Sequence, residues 1–183
     1  MPRRSPPNYA GAWWHVTNRG ITKRTVLENG HDVEQFLALL AAVVEAGWLE
    51  VHAFAILTTH FHLRVRSLCG ELPRALRWLL LSYVRWFNRA RKRDGSLFRG
   101  RYKARLIEDD VYWETVVRYI DLNPVRARTC TVPSAYARTS VAARSTGTIV
   151  RSWPGSWISS CDGRFPRRCA RSSRLPDGRA VAG

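Results

Sequence analysis

The polar and apolar residues of 60–66 (HFHLRVR) alternate without a break, which predicts a strand with one buried face. Phe61, Leu63 and Val65 form the apolar face of this strand, and its polar face begins with His60 and His62. Residues 48–57 (WLEVHAFAIL) alternate and then become continuously apolar, as expected for a half-buried partner strand. The two threonines between these stretches favour a hairpin.

Apolar residues recur at helical spacing in two longer segments, 32–46 and 71–93, and each is followed by a glycine signal typical of helix ends. A third helix is predicted to begin at the acidic pair 109–110, because carboxylates suit a helix N-terminus. We expect this helix to end near Leu122, since Pro124 disfavours helical geometry in the residue before it.

Two further strands complete the predicted domain. Residues 12–18 have strand-like composition, and the basic segment 96–107 is expected to lead into a short strand. The resulting order β-α-β-β-α-β-α predicts an α+β fold, a ferredoxin-like antiparallel sheet with helices packed on one face. We assign this domain to residues 11–136, after a flexible basic arm at 1–10.

The C-terminal segment, residues 137–183, differs in character from the rest of the chain. It contains nine Arg, eight Ser and only two acidic residues, and it shows no sustained periodicity. We expect a basic tail that is either disordered or translated out of frame.

The composition favours a polyanionic partner. The 183 residues carry a net charge of +16, from 30 Lys and Arg against 14 Asp and Glu. Interleaved Trp, Tyr and Phe can stack on bases, so nucleic acid is the expected partner. The four cysteines lack zinc-site spacing, and no apolar run approaches the roughly 18 to 20 residues of a membrane span. We therefore expect an intracellular protein with no membrane partner.

Four polar side chains suggest nuclease chemistry. His60 and His62 project from the same face of one strand, where they can share a metal ion. Tyr119 and Asn123 are four residues apart, so they lie about 5 to 6 Å from each other on one helix face. Two imidazoles and one amide oxygen could hold Mg²⁺ or Mn²⁺ with positions open for a phosphate, which the tyrosine could attack.

Structural roles compete with these assignments. A histidine on a strand is commonly structural, and we interpret His31 and His52 in that way. His15 could lie near the site, but we favour a structural or DNA-contact role over metal ligation. Tyr83 and Tyr112 lie on amphipathic helices and are expected in the core, and the acidic residues at 108–110 are better explained by helix capping than by a two-metal nuclease.

Four collinear segments resemble motifs of a known family, the REP-associated tyrosine transposases, within the single-tyrosine HUH transposases (U is a bulky hydrophobic residue). The segments are 14–20 (WHVTNRG), 60–63 (HFHL), 97–103 (LFRGRYK) and 118–127 (RYIDLNPVRA). The chain departs from the family in having Leu-Thr-Thr at 57–59, where similar proteins usually have Met-Pro and a polar residue.

The resemblance implies an enzyme that nicks single-stranded DNA beside hairpin-forming palindromic repeats and transfers the strand. The reaction would pass through a 5′-phosphotyrosine at Tyr119, with Mg²⁺ or Mn²⁺ held by His60, His62 and Asn123. The family resemblance also implies a cytoplasmic, nucleoid-associated bacterial protein, for which we favour a monomer over a homodimer. The expected DNA-binding residues are Arg19, Arg99, Arg101 and Lys103.

Three alternative functions fit the same residues. The chain could be a non-catalytic single-stranded nucleic-acid-binding protein that uses the sheet as a stacking platform. It could be an inactive transposase remnant, because the tail does not resemble the family's usual continuation. A relaxase or replication initiator would use the same core chemistry.

Overall fold

The computed structural model describes residues 9–145, and the side chains through residue 142. Its four strands are antiparallel and lie in the order β2-β3-β1-β4. The strands are β1 (Trp13–Arg19), β2 (Leu49–Ile56), β3 (His60–Ser67) and β4 (Lys103–Leu106). The helices are α1 (Gly30–Glu45), α2 (Leu72–Ala90), α3 (Asp110–Arg126) and α4 (Ser140–Ser145). The strand order and the βαββαβ sequence of elements confirm the predicted α+β ferredoxin-like sheet.

The helices of the βαββαβ unit, α1 and α2, share one face of the sheet as predicted, whereas α3 lies on the opposite face. Helices α1 and α2 pack on the face that carries Phe61, Leu63 and Val65 and form the main core with it. Helix α3 packs on the opposite face, where Val116 and Ile120 contact a second, smaller apolar cluster. The polar face of β3 is therefore partly covered by α3, and this places α3 beside the histidines.

A bulge in β2 explains how α3 can approach that face. The pairing of β2 with β3 shifts between Val51 and Ala53, so that His52 is the extra residue. Beyond the bulge, Phe54 and Ile56 point into the main core, whereas Ala53 and Ala55 face α3. The two small side chains leave room for the helix to lie close to the sheet.

A buried ion pair joins the start of α1 to the end of α2. Asn29 and Asp32 form a capping box at the N-terminus of α1. The Asp32 side chain is 1% exposed, and its carboxylate accepts hydrogen bonds from Arg91 at 2.7 and 2.9 Å. Arg91 also contacts Glu28 at 2.9 Å, so one guanidinium fixes both acidic groups.

Helix α3 continues through Pro124 to Arg126, so the prediction that it ends near Leu122 is wrong. Pro124 has no N–H, so the helix lacks the hydrogen bond to the carbonyl of Ile120. The helix then ends within one turn of Pro124. The amides of Ala127 and Thr129 still donate to the carbonyls of Asn123 and Pro124, both at 2.9 Å. Asn123 therefore lies in the last turn of the helix.

Packing also extends beyond residue 136, into the segment assigned to the tail. The backbone of Thr139 bridges to Ala55 of β2, and the Ser140 hydroxyl accepts a hydrogen bond from the Phe54 amide at 3.1 Å. The rest of the predicted tail, 146–183, and most of the predicted arm, 1–8, lie outside the described residues. Within residues 9–145, none of the helices combines the length and the apolar character needed to cross a membrane.

Candidate active site

The candidate site lies on the α3 side of the sheet, where β1 and β3 run next to each other. His60 and His62 project from this face of β3, opposite Arg19 and Thr17 of β1. Their ring centroids are 5.3 Å apart. The alternation of the strand therefore places both imidazoles on one face, as the sequence predicts.

Helix α3 brings Asn123 to the first of these histidines. The Asn123 side-chain oxygen, Oδ1, lies 3.1 Å from Nε2 of His60, and Asn123 is 5% exposed. The other nitrogen of His60, Nδ1, lies 3.0 Å from the Thr59 hydroxyl. The imidazole of His60 is thus held on both sides, with Nε2 directed at the amide oxygen.

Tyr119 lies against the second histidine. Its ring centroid is 5.1 Å from that of His62 and 5.9 Å from that of His15, in edge-on contacts. The guanidinium carbon of Arg126, one turn beyond Asn123 on α3, is 5.4 Å from the centre of the Tyr119 ring. Tyr119, which is partly exposed, therefore combines contact with an imidazole and proximity to a cation.

The electrostatic environment keeps the imidazoles uncharged near neutral pH. Burial, reinforced by the neighbouring rings of His15 and His60, lowers the pKa of His62 to about 3. Burial also lowers the pKa of His60, although its hydrogen bond with Asn123 opposes the change. The pKa of His15 is lowered by burial and by the charge of Arg105. Neutral imidazoles can donate a lone pair to a metal.

The imidazoles of His60 and His62 and the amide oxygen of Asn123 form a donor set that fits a divalent cation. An octahedral ion with ligand distances of about 2.1 Å separates adjacent ligand atoms by about 3.0 Å. The 3.1 Å between Nε2 of His60 and Oδ1 of Asn123 matches this separation. Among residues 9–145, no cluster of three His, Cys, Asp or Glu side chains is arranged to hold a metal, and the third protein donor beside the two imidazoles is the amide oxygen of Asn123.

A cleft of about 680 Å³ opens over the site and is bordered by positive charge. His60, His62 and Tyr119 line it. The basic residues proposed from the sequence to bind DNA all line it, namely Arg19, Arg99, Arg101 and Lys103. The structure thus brings together the residues that four separate motifs contribute.

Several lining residues were missed by the sequence analysis. Lys23 joins the cleft because residues 22 and 23 both adopt left-handed backbone conformations, with φ of 49° and 60°. Thr17 faces the cleft because it is the cross-strand partner of His62. The alternation of β1 could have identified Thr17, whereas no sequence signal marks Lys23.

Backbone hydrogen bonds attach the basic loop to the end of β1. The Arg99 amide donates to the Arg19 carbonyl at 3.0 Å, and the Ile21 amide donates to the Leu97 carbonyl at 3.1 Å. Gly20 also lets the chain turn back on itself after β1, because a Cβ there would collide with the Arg24 carbonyl oxygen. The loop arginines are therefore held at the rim of the cleft by main-chain contacts.

Comparisons with known proteins bear on the fold of the chain. The chain matches no family model and no curated protein. Among solved structures, a REP-associated tyrosine transposase bound to a REP hairpin aligns over 85% of this chain and 92% of its own, with 18% identity and a TM-score of 0.60. A proposed transposase from Deinococcus radiodurans R1 aligns over 64% of this chain and 95% of its own, with 17% identity and a TM-score of 0.45. The chain therefore has the fold of a REP-associated tyrosine transposase, in agreement with the resemblance of its four motifs.

Proposed function

We propose that this protein is a REP-associated tyrosine transposase that nicks and rejoins single-stranded DNA beside hairpins. The observation that carries the proposal is that Tyr119, His60 and His62 line one basic cleft, with the amide oxygen of Asn123 3.1 Å from Nε2 of His60. Such an enzyme would act on the nucleoid in the bacterial cytoplasm. All of these side chains come from one chain, which supports action as a monomer.

The chemistry assigns the nucleophile to Tyr119. Its phenol oxygen would form a bond to the scissile phosphorus as the bond from phosphorus to the 3′ oxygen breaks. The phenol loses its proton and the departing 3′ oxygen gains one, which leaves a 5′-phosphotyrosine and a free 3′-hydroxyl. Attack by another 3′-hydroxyl on the same linkage reverses the step and transfers the strand.

The remaining side chains would hold the phosphate and the cation. His60, His62 and Asn123 would bind Mg²⁺ or Mn²⁺, which offsets the negative charge that builds on the phosphate oxygens in the transition state. Arg126 lies beside the Tyr119 ring and can pair with a phosphate oxygen. The cleft arginines, Lys103 and Lys23 would track the DNA backbone on either side.

A covalent adduct tests the proposal. The wild-type protein, incubated with single-stranded DNA containing a hairpin and with Mn²⁺, should give a protein–DNA band on a denaturing gel, and EDTA should abolish it. Tyr119→Phe should lose the band while binding DNA with affinity similar to that of the wild type. Tyr112→Phe, a change on the same helix, is the matched control and should keep the band.

Two results would contradict the assignment. An adduct formed by Tyr119→Phe would show that another residue is the nucleophile. Wild-type binding without any adduct, unchanged by EDTA and by His60→Ala, would instead indicate a non-catalytic single-strand-binding protein.

A further inference from the structure

A third histidine contacts the candidate site without belonging to the proposed ligand set. His15 lies on β1 and projects from the same face of the sheet as His62, diagonally across from it, because Thr17 is the direct partner of His62. Nε2 of His15 is 3.1 Å from Nδ1 of His62, and the two rings are stacked with centroids 5.4 Å apart. This contact engages Nε2 of His15 and Nδ1 of His62, so each ring has one nitrogen left for other partners.

The direction of this hydrogen bond determines what the other nitrogen of His62 can do. A neutral imidazole carries one N–H and one lone pair. If His62 donates from Nδ1, its Nε2 keeps a lone pair and can bind a cation. If His15 donates from Nε2, the proton of His62 is on its own Nε2, and that nitrogen cannot be a ligand.

We propose that His15 is a positioning residue that accepts the hydrogen bond from Nδ1–H of His62 and so leaves Nε2 of His62 free to bind the cation. The role rests on the proposed function, since it presumes that His62 is a ligand. Metal-binding histidines commonly donate their second nitrogen to an acceptor that sets the tautomer and the ring orientation. The acceptor here would be another imidazole rather than the more usual carboxylate or carbonyl.

The surroundings of His15 permit the acceptor role, which requires a neutral ring. Arg105 is its partner on β4 and Arg64 its partner on β3, so both flanking positions across the sheet carry guanidinium groups. An imidazolium next to these charges is disfavoured, which keeps His15 neutral. Stacking on His62 and an edge-on contact with Tyr119 then limit the orientation of its ring.

The tautomer can be measured in the absence of metal and DNA. Long-range ¹H–¹⁵N correlation spectra of the ¹⁵N-labelled protein in EDTA distinguish a protonated Nδ1 from a protonated Nε2 at His62. The wild type should show the Nδ1–H form. His15→Phe keeps an aromatic ring beside Tyr119 but offers no acceptor, so His62 should shift toward the Nε2–H form, which predominates for imidazoles in water.

Metal affinity provides the second measurement. Calorimetric titration with Mn²⁺ should show a 10- to 100-fold weaker affinity for His15→Phe. His15→Gln, whose amide oxygen can accept the same hydrogen bond, should recover the Nδ1–H form and most of the affinity. His31→Phe, at an exposed position on α1, is the control and should change neither readout.

Three outcomes would overturn the inference. The first is an Nε2–H tautomer at His62 in the wild type, and the second is an unchanged tautomer and affinity in His15→Phe. The third is complete loss of Mn²⁺ binding in both His15 variants with the Nδ1–H tautomer retained, which would make His15 a direct ligand. A wild-type protein with the expected tautomer and Mn²⁺ affinity, but with no DNA adduct, would refute the proposed function and leave the positioning role intact.

Discussion

The distance between α3 and the sheet is the feature on which the candidate site depends most, and one substitution tests it. Ala55 is fully buried on β2, directly opposite His62 and beneath α3. Ala55→Val adds two methyl groups where no space exists, and overpacking of this kind typically costs about 1 to 3 kcal/mol of stability. Because α3 forms the less extensive of the two interfaces, we expect the strain to be relieved by moving α3 outward.

The consequence for activity should exceed the loss of stability. Tyr119 and Asn123 move with α3, whereas His60 and His62 stay on β3. A misplacement of about 1 Å in a catalytic group can cost on the order of 100-fold in rate. We therefore expect Ala55→Val to form the covalent adduct about 100-fold more slowly, at a temperature where the variant is still fully folded.

A substitution on the other side of the sheet supplies the matched control. Ala42 is 2% exposed within α1, and Ala42→Val adds the same two methyl groups to the opposite layer. Its loss of stability, measured by urea unfolding, should be similar, but its adduct rate should stay within a few-fold of the wild type. Equal losses of activity in the two variants would refute the idea that the docking of α3 sets the geometry of the site.

Three further predictions concern single residues. Arg91→Met should lower the free energy of urea unfolding by about 3 kcal/mol, because it leaves the buried Asp32 carboxylate without its cation. The control Arg77→Met, at an exposed position on α2, should change the free energy of unfolding little. The folded state lowers the pKa of His62 to about 3, so the unfolded chain binds more protons than the folded protein below pH 6.5. Acidification from pH 7 to pH 5 should therefore lower the free energy of unfolding by about 2 kcal/mol. The same acidification should lower the free energy of unfolding of His62→Asn by a correspondingly smaller amount. Arg101→Ser should weaken DNA binding similarly for all sequences and reduce the slope of log affinity against log salt by about 1, whereas Arg77→Ser should leave that slope unchanged.

Much of the fold could be predicted because its signals are local. Strict alternation over residues 60–66 places His60 and His62 on one face whatever the rest of the chain does, since the side-chain period of a strand is two. The helical spacing of Tyr119 and Asn123 likewise places them on one side of α3. The order of elements then restricts the sheet to few topologies, of which the ferredoxin-like one is observed.

The errors of the sequence analysis arose where tertiary contacts outweigh local preference. The local preference of Pro124 predicts that α3 ends before it, but Asn123 and Pro124 are buried and the amides of Ala127 and Thr129 donate to their carbonyls, so the helix continues to Arg126. The boundary at residue 136 failed to include Thr139 and Ser140, whose hydrogen bonds to β2 have no local signature. The composition of this segment resembles that of the tail, and only its contacts distinguish it.

The sequence by itself determined which side chains are candidates for the proposed chemistry and which of them share a face within each element. Only the tertiary structure decided that α3 lies on the histidine face of the sheet, which brings Asn123 to His60 and Tyr119 to His62. The physical reason is that side-chain periodicity is a property of a single element, whereas the choice of face depends on the small side chains of Ala53 and Ala55 and on the bulge that orients them. The contact between His15 and His62 depends in the same way on the register of β1 against β3.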